Sequence, residues 1–329
     1  MNPQRFLVVL DGPLDDIILS TPLIRALKTR LQETEIDYLT HPDFIPILKE
    51  NPYVHRVVSR SEMAWMKKQT YHRMIDLQNN GDSWLLTWQL KIPCYRFKSI
   101  RRNWWWWDKN PSQEHRADQY LKVVPDLELD KDSLGLDFFI PEDQIVNLSD
   151  LPETHRKDYV VFAINAPYKT RQLPLKRMIE LCDKINKPVI LLGEEEDVDS
   201  GESIANFFDR KGYFEEFEPG LAELNKKTTI LNGCGKYNIY QQASLIKQSQ
   251  VVFCYDQYQM HIAAAFNKKI FSIWGNTTPY SGYYPYRTKF TVLENTNLDC
   301  RPCSRGGFSK CPKGHFKCMQ EIVFDFYLP

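Results

Sequence analysis

The chain has 329 residues, 43% of them hydrophobic and 26% charged, with Lys plus Arg equal to Asp plus Glu at 42 each. That length allows two domains that each bury a core, and the composition excludes a disordered or fibrous chain. With no net charge, no global field draws the molecule to nucleic acid, so any anion site is local.

The opening stretch MNPQRFLVVLDG lacks the charged segment, long apolar core and small-residue cleavage site of a signal peptide, and FLVVL is too short to span a bilayer. A cytoplasmic location is therefore expected. Strand-like runs then alternate with helical ones: FLVVL at 6–10, a helix from about Thr21, EIDYLT at 35–40, a short helix over 43–50, RVV at 56–58 and MIDLQ at 74–78. Nearly all-apolar strands in such alternation predict a parallel sheet covered on both faces. The pattern weakens over 104–157, which holds four consecutive tryptophans, a helix near HRADQYLKVV and the linker-like SDLPETHRKD. From 158 the alternation restarts with YVVFAI, LKRMIELCDKI, PVILLG, ESIANFF, TTIL, IYQQASLIKQS, VVFCYD, a helix from Gln259, and KIFSIWG. The expected organisation is two doubly wound α/β domains, 1–155 and 156–329, with ligands at the carboxyl ends of their strands.

Three places carry candidate chemistry. In LDGPLDDIILSTPLIRALKTRL, Ser20 or Thr21 suits a helix cap, Pro22 its first turn, and Leu23, Ile24, Leu27 and Leu31 one buried face. Asp15 and Asp16 then fall in the preceding loop, where turn chemistry or a charge beside a helix N-terminus accounts for both on the residues alone. In VVFCYDQYQMHIAAAF a strand feeds a helix N-terminus, the layout that holds phosphate, yet Gln257, Tyr258 and Gln259 stand where such a turn usually has glycine. Near the end, Cys300, Cys303, Cys311, His315 and Cys318 give C-x2-C-x7-C-x3-H-x2-C, a spacing that suits a structural zinc. The other cysteines, Cys94, Cys182, Cys234 and Cys254, are scattered where a thiol acts as a small hydrophobe.

The run LDDIILSTPLIRALK, followed by EIDYL and LKENPYVHRV, resembles the opening of the ADP-heptose:lipopolysaccharide heptosyltransferases, glycosyltransferase family nine. The second half resembles it independently through Arg171 and Pro174, PVILLG, Asp256 with MHIAAA, WGNTTP, and the terminal CRPC to CPKGHFKCM. The resemblance implies a GT-B fold, two Rossmann-like domains facing a central cleft, and an inverting transfer of a sugar from a nucleotide diphosphate, without metal or other cofactor. That tail recurs in the family, which argues against zinc and for free thiols or a disulfide.

Such a transfer needs a carboxylate to take the acceptor's proton and groups to hold the departing diphosphate. The resemblance assigns the first role to Asp16. For the donor it implies Arg171, with Lys169 beside it, and Met260 and His261, with Asp256 ordering the turn that holds Gln257 and Tyr258; Thr277 and Thr278, at another strand end, suit the diphosphate or equally a turn before Pro279. The implied partners are an ADP-heptose-like donor and a lipid-linked or lipopolysaccharide-core saccharide at the inner face of a bacterial membrane. Lys98, Arg101 and His115 are suggested for the acceptor. KSIRRNWWWWDK suits peripheral membrane contact or a lipid-linked sugar, since indoles favour the interface and cations meet phosphates; core packing or a self-contact accounts for it equally. The chain departs from the family at Asp15, usually glycine, and at Gln257 and Tyr258, usually threonine and glycine. The alternative is thus a non-catalytic relative with an occluded donor pocket that binds a saccharide or protein partner.

Overall fold

The computed structural model describes residues 4–31, 33–98, 114–127, 129, 134–209, 227–304 and 306–328. The first of two units ends at Phe139 and the second begins at Ile140. Arg101, Arg102 and the tryptophan run 104–107 lie outside the described residues.

Unit 1 runs β1 (Gln4–Val9), α1 (Leu14–Leu19), α2 (Thr21–Arg30), β2 (Thr34–Leu39), α3 (Ile45–Lys49), β3 (Arg56–Val58), α4 (Met63–Met66), β4 (Arg73–Asp76), α5 (Gly81–Leu90), β5 (Cys94–Arg96) and α6 (Arg116–Leu121). Its strands are parallel in the order β3-β2-β1-β4-β5, with Val8 opposite both Tyr38 and Ile75. In β1, Phe6 to Val9 are all buried, as a strand covered on both faces requires. Unit 2 runs β6 (Val160–Ala163), α7 (Leu175–Ile185), β7 (Val189–Leu192), α8 (Val198–Asp209), β8 (Ile230–Asn232), α9 (Ile239–Gln248), β9 (Val251–Tyr255), α10 (Tyr258–Ala265), β10 (Lys269–Trp274), β11 (Phe290–Glu294) and α11 (Lys317–Gln320). Its parallel order is β11-β10-β9-β6-β7-β8.

Helix α7 shows why these segments dock. Met178, Leu181, Cys182 and Ile185 recur at helical spacing and are all buried against the sheet, each large apolar side chain contributing roughly 1.5–3 kcal/mol. Asn186, at φ 52°, ends the helix in the left-handed conformation that asparagine tolerates, and the chain turns into β7.

In unit 1 the strand order reverses between β1 and β4, and in unit 2 between β6 and β9. The carboxyl ends of those strands are where such sheets bind ligands. The Pro- and Asp-rich stretch after Ile140 is held to unit 2: the Val146 N–H donates to Ser244 Oγ (3.0 Å) and Asn238 Nδ2 to Gln144 Oε1 (2.8 Å). Helix α5 and strands β5 and β11 are not among the elements that the sequence pattern predicts. β5 has three half-buried residues and β11 lies at a sheet edge with Phe290 exposed, so neither shows the all-apolar run of a central strand.

Candidate functional site

β1 delivers the chain at its carboxyl end into Gly12, Pro13 and α1. Asp15 and Asp16, expected in a loop, occupy the first turn of this short helix, because Ile17, Ile18 and Leu19 bury against the core and acids suit a helix N-terminus. Asp16 Oδ1 accepts a hydrogen bond from the Tyr120 hydroxyl at 3.0 Å, and Arg116 Nε lies 3.5 Å from the same oxygen. Both partners come from α6. The Tyr120 ring is buried edge-on to Phe97 (5.1 Å), and the Arg116 guanidinium lies over Phe97 at 5.0 Å. Behind Asp16, Tyr38 of β2 shares a 2.9 Å hydrogen bond with Ser20, and burial, with the charge of Asp16, pushes its phenol above the ordinary range. Lys98 is exposed. His115 is buried, and its Nδ1 accepts from the Ala117 N–H (3.2 Å) as the cap of α6.

In unit 2 the loop after β6 carries Asn165 and a 3-10 turn, Lys169–Arg171, while the loop after β9 carries Asp256 and Gln257. Arg171 Nη1 donates to the Asp256 carbonyl (3.0 Å) and Nη2 lies 3.4 Å from the Asp256 carboxylate. Burial pushes Asp256 up to about 6, against the downward pull of Arg171 and Thr277. Lys169 is exposed and donates to Gln172 Oε1 (3.2 Å). Met260 and His261 are fully buried in α10.

Thr277 and Thr278 follow β10; Thr277 is buried and Thr278 half-buried. Their loop is braced by Arg301 from the CRPC motif, whose guanidinium donates to the carbonyls of Gly275, Trp274 (3.2 Å), Thr277 (3.0 Å) and Asn295 (2.6 Å) and pairs with Glu294 (2.9 Å).

The turn before α10 needs no glycine: Gln257 has φ −157°, an extended conformation open to any residue, and Tyr258 begins α10 without a positive φ. Its Oε1 accepts from Asn165 Nδ2 (3.2 Å), while Gln259 Nε2 donates to Asn165 Oδ1 (2.8 Å) and Gln242 Oε1 (3.3 Å). The Tyr258 hydroxyl donates to Glu194, in the loop after β7. Because β6 lies between β9 and β7, that bond runs across the carboxyl end of β6. The tyrosine is therefore a tether between two strand-end loops.

All eight cysteines are free, with Cys300 Sγ 3.7 Å from His315 Nε2. Among the described residues no group of three or more His, Cys, Asp or Glu is arranged to hold a metal ion, and no helix is long and apolar enough to cross a membrane.

The sequence pattern does not single out Tyr120, Arg116, Asn165, Gln242, Glu194 or Arg301. Arg116 and Tyr120 carried one signal, a spacing of i and i+4 that puts them on one helix face.

Two parallel α/β units, each with its strand order reversed at one point, define a protein of the GT-B type. Similar solved structures are the glycosyl transferase family 9 protein from Veillonella parvula (18% identity, TM-score 0.70, covering 90% of this chain and 88% of that one), ADP-heptose lps heptosyltransferase II from E. coli (17%, 0.69, 97% and 98%) and E. coli heptosyltransferase WaaC with ADP (16%, 0.63, 88% and 93%). Among curated proteins none matches the sequence. Residues 63–310 match glycosyltransferase family 9 (heptosyltransferase), and the chain belongs to that family.

Proposed function

We propose that this family 9 glycosyltransferase moves a heptose-like sugar from a nucleotide diphosphate donor, ADP-heptose or a close analogue, to a lipopolysaccharide-core or other lipid-linked saccharide. The work would be done in the cytoplasm at the inner membrane face. Asp16 is the general base. As the acceptor oxygen bonds to the anomeric carbon from the face opposite the diphosphate, its proton passes to the Asp16 carboxylate. The bond from the anomeric carbon to the diphosphate oxygen breaks, its electron pair leaves with the phosphate, and the sugar's configuration inverts.

Arg171, Lys169, Thr277, Thr278 and His261 hold the diphosphate, with Asp256, Gln257, Tyr258 and Met260 shaping the donor end of unit 2. Lys98, Arg101 and His115 are the acceptor-side candidates, with His115 acting through its cap on α6. No metal ion or cofactor is assigned. The single observation that carries the reading is Asp16 at the carboxyl end of β1, gripped by two donors from a distant helix.

The test is calorimetric titration and thermal melting with ADP, UDP and GDP sugars. The right nucleotide at a hundredfold its dissociation constant stabilises the protein by about 2.7 kcal/mol. Silence with every nucleotide overturns the donor assignment.

A second reading, a non-catalytic relative with a closed donor end, is favoured by the Tyr258–Glu194 bond across β6. Under it, the unaltered protein ignores nucleotides and Tyr258→Gly binds one. Binding by both proteins removes this reading.

A further inference from the structure

We propose that Tyr120 and Arg116 are positioning residues for Asp16, an inference that rests on Asp16 being the general base. Both lie one helical turn apart on α6, and both converge on a single carboxylate oxygen, Oδ1, at 3.0 and 3.5 Å. Asp16 itself lies in the first turn of α1, which has no side-chain cap, whereas α6, likewise six residues long, is capped by His115.

Both partners are packed against aromatic rings. Tyr120 is 2% exposed and packed edge-on to Phe97, and the Arg116 guanidinium is laid over Phe97 and Tyr120 at 5.0 and 5.7 Å. A base must meet the acceptor's hydroxyl within hydrogen-bond reach, and a displacement of about 1 Å costs on the order of a hundredfold in rate.

The experiment compares Tyr120→Phe, Arg116→Ala, Arg116→Lys, Asp16→Asn and Asp16→Ala in turnover and in melting. Expected for Tyr120→Phe and Arg116→Ala is a fall in kcat of about tenfold to a hundredfold with donor KM unchanged. Arg116→Lys, which keeps the cation, recovers part of the loss. No recovery with Arg116→Lys, or a rise in donor KM alone, overturns the positioning role.

Melting reads the contact without turnover. Tyr120→Phe shifts the midpoint in the unaltered background and adds nothing to Asp16→Ala, which removes the accepting oxygen, whereas additive shifts show the contact carries no energy and overturn the proposal. Non-additive melting together with full turnover by Asp16→Asn instead overturns the base assignment and with it the role built on that base.

Discussion

Asp256 is the residue whose protonation the fold alters most usefully for a test. Its carboxyl is pushed up to about 6 by burial, although Arg171 and Thr277 pull the other way. A raised acid holds its proton more tightly in the folded protein than in the unfolded chain. Its contribution to stability is therefore complete below about pH 4 and is lost as pH rises through about 6. Two pH units at about 1.4 kcal/mol each put that loss on the order of 3 kcal/mol. Asp256→Asn should flatten the dependence of melting midpoint on pH between about 4 and 7; an unchanged slope assigns the effect to another group. The Arg171 contact with the Asp256 carbonyl survives this substitution, so the loop geometry should persist.

The loop after β10 is an element built by close approach. A Cβ on Gly275 would lie 2.6 Å from the Thr170 carbonyl oxygen and 2.7 Å from the Met319 side chain. The methionine can give way and the carbonyl cannot, because it belongs to the 3-10 turn that carries Arg171. Gly275→Ala should cost about 1–3 kcal/mol by denaturant unfolding, and, by moving that turn, should weaken donor binding as well. Arg301 acts on the same loop from the terminal motif. Arg301→Ala strips donors from four carbonyls and leaves Glu294 without its cation, a loss of about 3–5 kcal/mol of the kind seen when a buried pair is broken. Amide exchange over 275–278 should rise with it. Unchanged exchange there would mean that β10 and its neighbours hold the loop without the arginine.

At the scale of the whole molecule, each unit has its own apolar cluster, one around Leu7, Val9, Leu39 and Val58 and one around Phe162, Leu191, Phe253 and Phe271. Separate cores predict unfolding in more than one step, with a van't Hoff enthalpy below the calorimetric one. Trp274 is the only tryptophan after residue 139 and is fully buried in unit 2, so its emission follows that unit. A bound nucleotide should raise the transition it reports; one cooperative transition seen by every probe would overturn the separation. Much of this architecture was legible in the sequence. VVFCY and FLVVL read as covered strands because every residue is apolar, and LKRMIELCDKI reads as a docked helix because its apolar residues recur at 3.6. Asp16 and Arg171 were legible through motifs at strand ends, while α1 was hidden in a run that reads as a turn and β5 was too short to signal. These local patterns determined two parallel α/β units and where their strand-end loops fall. Only the tertiary structure decided that Tyr120 grips Asp16 across 104 positions, and that Tyr258 reaches Glu194 across 64. Such meetings depend on strand order and on which helix crosses which loop, and no periodicity within a single segment encodes the neighbour that another segment will bring.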